Sequence, residues 1–361
     1  MIIGIVTAAT KKPERKKGLE DICVEVDSRD DVDYKVINPQ NITFFTPDYM
    51  YLKRHRQDKF PIGKRGKPIS RANVRNKKYE KLVEKFKDVD ILYIRGFKPK
   101  EPVAGNYSAE VEFRRKAITW LAKELKIPIS NPIPSIKYAN NKSEVIIDIS
   151  RSEVEIERKK IEEIIPYSQI FCMDDTHESE KEKYELDNRI KVRLQGAHTS
   201  QVLKTLDGVQ GDGIMPIETG SNYRALLSNY SQSSLIVQDM IEDCVDLRVQ
   251  IIGAGESRND IKASYIRWNP KDGDFRAQNT SDMEHYDLND FQAETSLFLH
   301  RRCGADHTAI DYGLKLKTRE IFLYELNAEN PGWQNVKKVY SRGLQKDMVD
   351  LLARKVLDNQ N

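Results

Sequence analysis

The chain is poor in the residues that many catalytic and structural schemes need. It has four cysteines, Cys23, Cys172, Cys244 and Cys303, in 361 residues. They have neither metal-ligand spacing nor the density of a disulfide framework, so reduced thiols and a cytoplasmic setting are expected. No apolar run approaches the ~20 residues that span a bilayer, which excludes a membrane helix. The start, Met1 to Val6, reads as a strand and lacks the basic lead and cleavage site of a secretory signal. The six histidines are scattered, and no Ser/His/Asp or Cys/His arrangement suggests covalent catalysis. Internal repeats and low-complexity tracts are also missing. A net charge of +3 is too small to imply a nucleic-acid partner by itself.

What is present is a soluble composition with local concentrations of function. Charged residues make up 32% of the chain and hydrophobic residues 39%, and the length suits two or three domains. Charge is uneven: residues 53–81 hold 12 Lys/Arg against Asp58 and Glu80 alone. That block reads as a solvated insertion or as a footprint for an anionic partner. Residues 1–132 alternate strand and helix patterns, with strands at 2–7, 33–37 and 90–95 and helices at 77–87 and 109–125. Such alternation predicts an α/β domain with a mostly parallel sheet. Beyond it, 152–165 reads as a charged amphipathic helix, 174–188 as a polar loop and 222–230 as a helix. Strands are expected at 235–240, 247–253, 261–268 and 321–326, a helix at 289–303 and a helical tail at 336–358.

The most informative stretch is 201–218. A strand delivers Lys204, a turn carries Gly208, Gly211 and Gly213, and a return strand follows. Glycines let a backbone approach polyphosphate oxygens with its N–H groups, and a lysine adds a point charge for the same anion. An acidic end lies more than a hundred residues on. Glu325 and Asn327 share a face at the end of an apolar strand, because side chains alternate. Asp311 follows a second probable strand, 308–310. If the two strands pair, Asp311 comes alongside Glu325 and Asn327. Two carboxylates and an amide oxygen form a hard oxygen site suited to Mg²⁺. Between these ends, the strand exit Gln238, Asp239, Met240 and Ile241 can offer backbone groups to an adenine edge. Asp246 and Arg248 alternate on the next strand. Arg267 and Arg276 flank the turn 269–273, where they read either as surface residues or as grips for a phosphoryl or carboxylate group. His307 reads as structural.

Taken in order, these pieces resemble the ATP-grasp superfamily of carboxylate–amine ligases, most of all its RimK-type and glutathione-synthetase branch. The resemblance rests on Val202 to Gly208 with the glycine turn, Ile236 to Ile241, and Asp246-Leu-Arg248. It continues through Gly273 to Arg276 with Asn279, and ends at Asp311 with Glu325-Leu-Asn327. Asn131-Pro132 and Asn141-Lys142 also fit. It runs from about residue 115 to 335; residues 1–114 match only a generic pre-ATP-grasp domain. The resemblance implies an α/β ATP-grasp fold of three parts. These are a pre-ATP-grasp domain (1–132) with the basic insertion 53–81, a central lid subdomain (133–236), and a C-terminal mixed-sheet subdomain with the metal site (237–361).

For individual residues the resemblance implies ATP phosphates at Lys142 (or Lys137) and Lys204, with the turn around Gly211 closing over them. Adenine would lie at 238–241 and ribose at Asp246, with one or two Mg²⁺, or Mn²⁺, on Asp311, Glu325 and Asn327. Arg276 would face an acyl phosphate; Arg248 and Arg267 would position groups. The activity implied is ATP-dependent amide or peptide bond formation through an acyl phosphate, on small-molecule or peptide carboxylates and amines. An acidic peptide or carrier suits the basic block, and a homodimer or higher homo-oligomer is the family-level expectation. Two other readings stay open: a phosphotransferase using the same nucleotide site, and a nucleic-acid- or carrier-binding protein that works through residues 53–81. A catalytically dead relative is disfavoured by the intact Asp311, Glu325 and Asn327.

Overall fold

The computed structural model describes residues 1–7, 20–37, 83–96, 107–171, 200–205, 214–217, 235–268, 282–329 and 332–360. Among them, no helix is long and apolar enough to cross a membrane. The basic block, the loop expected at 174–188, the helix expected at 222–230, Gly208, Gly211, Gly213, Arg276 and Asn279 lie outside the described residues.

Two compact units emerge: residues 1–133 with 345–361, and residues 134–344. The first is a parallel sheet of β1 (Ile2–Thr7), β2 (Asp33–Ile37), β3 (Ile91–Gly96) and β4 (Ile129–Ser130), ordered β2-β1-β3-β4. Its strands are near-continuous apolar runs because helices cover both faces of such sheets. Ile3, Ile5, Ile91 and Ile94 are fully buried. Helix α2 (Tyr107–Glu124) matches the helix expected at 109–125, and helix α1 (Glu20–Asp27) adds one where none was expected.

In the second unit, α3 (Ile133–Asn140) and α4 (Lys142–Ser150) come first. Pro134 is tolerated in the first turn of α3, where its missing N–H has no helical partner to lose. Asn141 caps α4 by accepting the Glu144 N–H. The helix expected at 152–165 is not formed. That stretch makes a two-stranded ribbon, β5 (Glu155–Ile156) with β6 (Lys159–Lys160), and a 3-10 turn, Ile161–Ile164. Glu157 and Arg158 sit at the ribbon's tip with φ of 50° and 64°. Two successive left-handed residues are what a tight hairpin requires, and neither is a glycine that would have announced it.

Two antiparallel sheets follow. One orders β7 (Ser168–Phe171), β10 (Leu235–Asp239), β8 (Gln201–Thr205) and β9 (Ile214–Ile217) as β7-β10-β8-β9. The other orders β11 (Val245–Ile252), β12 (Ile261–Arg267), β13 (Met283–His285), β14 (His307–Leu314) and β15 (Ile321–Asn327) as β13-β12-β11-β14-β15. Helix α5 (Asp290–Cys303) backs this second sheet. Its start is held by a reciprocal capping box between Asn289 and Gln292, and its end by Gly304 at φ 66°. Ser296 and His300 bond to Tyr312 and Thr308 of β14 at 3.0 and 2.9 Å, so one sheet face is closed and the other remains for chemistry.

The tail expected as one helix is two, α6 (Gln334–Tyr340) and α7 (Gln345–Gln360), broken at Ser341 with φ 55°. Helix α7 groups with the first unit, where Asp350 pairs with Arg29. A single stretch 237–361 therefore does not make one compact unit.

Candidate functional site

The open face of the five-stranded sheet can be read from its register. Residues directly opposite in an antiparallel ladder point to the same side. Arg248 on β11 is opposite Tyr265 on β12 and Asp311 on β14, and Asp311 is opposite Glu325 on β15. One position along, Asp246 is opposite Arg267; one position the other way, Ala309 is opposite Asn327. The hairpin expected from sequence thus sets Asp311 beside Glu325, with Asn327 one step on.

Distances show how this lattice is bonded. The Arg267 Nη2 donates to Asp311 Oδ1 at 2.9 Å and lies 3.5 Å from Asp246 Oδ2. Arg248 Nε stands 3.5 Å from the same Asp311 oxygen. Asn327 Nδ2 donates to Asp311 Oδ2 at 3.2 Å. Only 8% of Asp311 and 7% of Arg267 is exposed. Burial pushes the Asp246 carboxyl up to about 6, with Arg267 opposing and Asp311 adding to the rise. For Arg248, burial works against the charge, but Asp311 and its acidic neighbours outweigh it and the guanidinium is held more firmly protonated.

A register shift adds a residue that alternation hides. Pairing runs Asp311↔Glu325 and then Tyr312↔Leu323, so Tyr324 is the extra residue of a β-bulge. Its ring consequently lies over Gly313, where an added Cβ would come within 2.2 Å of the Tyr324 Oη. The same ring receives Lys204: the ammonium is 5.3 Å from its centroid. Strict alternation would have turned Tyr324 away from Glu325, and nothing in the sequence signals the bulge.

Lys204 links the two sheets of this unit. Its Nζ donates to Gln238 Oε1 at 2.6 Å, and Gln238 Nε2 donates to Ser168 Oγ at 2.9 Å. Burial pushes its ammonium down to about 8; the charge of Lys142 pushes the same way, while Glu325 and Asp246 pull it back up. Two lysines and two carboxylates therefore act on one buried point. Lys142, the first residue of α4, is the lysine whose charge reaches Lys204; Lys137 is on the exposed side of α3.

Two of the backbone donors at the expected adenine position are already used. The Asp239 N–H donates to Tyr167 O at 2.9 Å and the Met240 N–H to Ser200 O at 2.8 Å. The ladder of β10 runs past its formal end and uses these donors internally. The Gln238 side chain is likewise committed to Lys204.

Among the described residues, no three His, Cys, Asp or Glu side chains gather around a possible metal position. Asp311, Glu325 and Asn327 supply two carboxylates and one amide, too few for an all-protein cage. They fit a metal of the Mg²⁺ kind, which takes one or two carboxylates and completes its shell with water and phosphate oxygens. Asn327 donates its amide nitrogen to Asp311, so its oxygen would have to rotate inward to serve a metal.

The fold is similar to that of ATP-grasp ligases of known structure. Among solved structures, the macrocyclase MdnC of Microcystis aeruginosa MRC, bound to the precursor peptide MdnA, superposes with a TM-score of 0.60 at 13% identity, covering 98% of this chain and 100% of that one. The ATP-grasp ligase PsnB, complexed with a phosphomimetic variant of its minimal precursor, Mg and ADP, gives 0.58 at 13%, covering 98% of each. D-Alanine–D-alanine ligase of Bacillus anthracis gives 0.57 at 14%, covering 99% of this chain and 98% of that one. Residues 179–352 match the model of the RimK-like ATP-grasp domain. No curated protein sequence matches it.

Proposed function

We propose that this protein is an ATP-dependent carboxylate–amine ligase that forms amide or peptide bonds on a peptide substrate. The observation that supports this best is the meeting of Lys204 with Tyr324 and with the charges of Glu325 and Asp246. A lysine strand and an acidic strand end, remote in sequence, face one point. In this reading a substrate carboxylate oxygen attacks the γ-phosphorus of ATP and ADP leaves, giving an acyl phosphate. An amine then attacks the acyl carbon, phosphate leaves, and the amine gives up a proton. Positioning and charge neutralisation carry such a phosphoryl transfer, so no side-chain nucleophile is needed.

Placement supports the roles of the described residues. Lys142 and Lys204 hold ATP phosphates, with Gly208, Gly211 and Gly213 as the turn that covers them; these glycines are assigned by sequence resemblance alone, as is Arg276 at the acyl phosphate. Adenine lies by the exit 238–241, where Ile241 takes over the amide role that Asp239 and Met240 have spent internally. Asp246 takes the ribose. Asp311, Glu325 and Asn327 would hold Mg²⁺, which would supply charge neutralisation for the phosphates. Within the second unit, the β7–β10 sheet with its preceding helices is the lid part and the β11–β15 sheet the metal-bearing part. Peptide substrates are favoured because MdnC and PsnB, which share this fold, are bound to precursor peptides. An acidic peptide also complements the basic residues 53–81.

A screen of amino acids and acidic peptides for stimulated phosphate release tests the proposal. ADP and free phosphate in equal amounts, appearing only when carboxylate and amine are both present, is the expected result. A stable phosphorylated product formed from one substrate would establish a phosphotransferase instead.

A further inference from the structure

We propose that Arg267 is a resident counter-cation of Asp311, which a divalent metal displaces, and that Asp246 takes over the released guanidinium. This rests on the assignment of Asp311, Glu325 and Asn327 as metal ligands. A carboxylate as buried as Asp311 needs a cation or hydrogen bonds in place of water. It has both: Arg267 Nη2 on Oδ1 at 2.9 Å and Asn327 Nδ2 on Oδ2 at 3.2 Å. Both of its oxygens are thus engaged by groups that a metal ion must replace.

The two arginines beside Asp311 are not equivalent. Arg248 approaches with Nε at 3.5 Å, and that Nε makes no hydrogen bond among the described residues. Arg267 makes the hydrogen bond, and its same Nη2 already stands 3.5 Å from Asp246 Oδ2. Because β11 and β12 pair Asp246 directly with Arg267, the second carboxylate is fixed within reach. Handing the guanidinium from Asp311 to Asp246 therefore needs only a small shift of a planar head group with several N–H donors. Directly opposite Arg248 stand Tyr265 and Asp311; Glu325 and Asp246 act on it through their charge, but it makes no hydrogen bond to Asp311 that an ion must break. Arg267 is a positioning residue in this scheme: it neutralises Asp311 and withdraws when an ion enters.

The test is Mn²⁺ binding to the full chain without nucleotide, followed by the electron paramagnetic resonance signal of free Mn²⁺. Arg267→Gln is expected to tighten binding about fivefold, clearly more than Arg248→Gln, because Arg267 and not Arg248 holds a hydrogen bond to Asp311 that the ion must replace. Arg267→Lys, which keeps a cation and guards against loss of folding, is expected between wild type and Arg267→Gln. Asp246→Asn, which removes the receiving carboxylate, is expected to weaken binding. Equal effects of Arg267→Gln and Arg248→Gln would reduce the matter to general charge repulsion and overturn the proposal, as would unchanged or weaker binding in Arg267→Gln. Wild-type Mn²⁺ binding that ignores Glu325→Gln would instead overturn the metal assignment, and this inference would fall with it.

Discussion

Lys204 is held in an unusual state for a lysine, buried among a glutamine, a tyrosine ring and a second lysine's field. Its ammonium titrates at about 8, well below the usual 10.5, chiefly through burial. Two consequences have definite sign. For folding, keeping the charge buried costs stability fully below pH 8, and the cost is relieved as pH rises from about 8 toward the unfolded value. For binding, its contribution to an anion is present below pH 8 and fades above it. ATP affinity measured from pH 7 to 9.5 should therefore fall by about tenfold in the wild type, and Lys204→Met should be weaker throughout and nearly flat over that range. At the other end of the site, Glu325→Gln is expected to lower kcat by about a hundredfold or more. The thermal midpoint should scarcely move, since Glu325 is only half-buried at a strand end. Near-normal turnover in that variant would refute the metal role.

Among the elements, the β14–β15 hairpin matters most, because it brings both carboxylates together and its bulge adds Tyr324. Gly313 is the position that allows this. A methyl there would meet the Tyr324 Oη at 2.2 Å and Cζ at 2.5 Å, so the ring must move off Lys204. Gly313→Ala should cost about 1–3 kcal/mol in chemical denaturation and raise the KM for ATP; Tyr324→Phe, which keeps the ring, should leave that KM nearly unchanged. Here the limits of sequence reading become plain. The Asp311–Glu325 pairing was legible because alternation and hairpin geometry are local rules. Tyr324 was not, because a bulge reverses alternation with no residue to mark it. The segment 152–165 misled for a related reason: Glu and Lys at three- and four-residue spacing suit a helix, yet Glu157 and Arg158 take left-handed angles that only the folded ribbon enforces. Helices α3 and α4 were missed because they are short, α3 carries Pro134 and Asn140, and α4 has three isoleucines and a valine, β-branched residues that suit a strand as well, although Asn141 serves as a cap. The Asp239 and Met240 amides read as open only because their partners, Tyr167 and Ser200, lie just ahead of β7 and β8, remote in sequence.

At the scale of the whole molecule, two units divide the labour. A parallel α/β unit takes in both chain ends, and a second unit holds every described residue of the candidate site. The alternation of the first unit and the antiparallel strands of the second were legible as patterns. The return of α7 to the first unit was not, since it depends on tertiary contacts such as Arg29 with Asp350. A ligase of this design should couple its two substrates: ATP hydrolysis without the amine should be slow, and with both substrates one ADP should appear per bond formed.

The decisive measurement is calorimetric titration of Mg·ATP into the wild-type chain, Lys204→Met, Glu325→Gln and the double variant. If the lysine strand and the acidic strand end grip one nucleotide, the wild type binds a single ATP and each substitution weakens it. The double variant is then weakened by less than the two losses combined, because the residues share one ligand. Binding that neither substitution alters would contradict that arrangement.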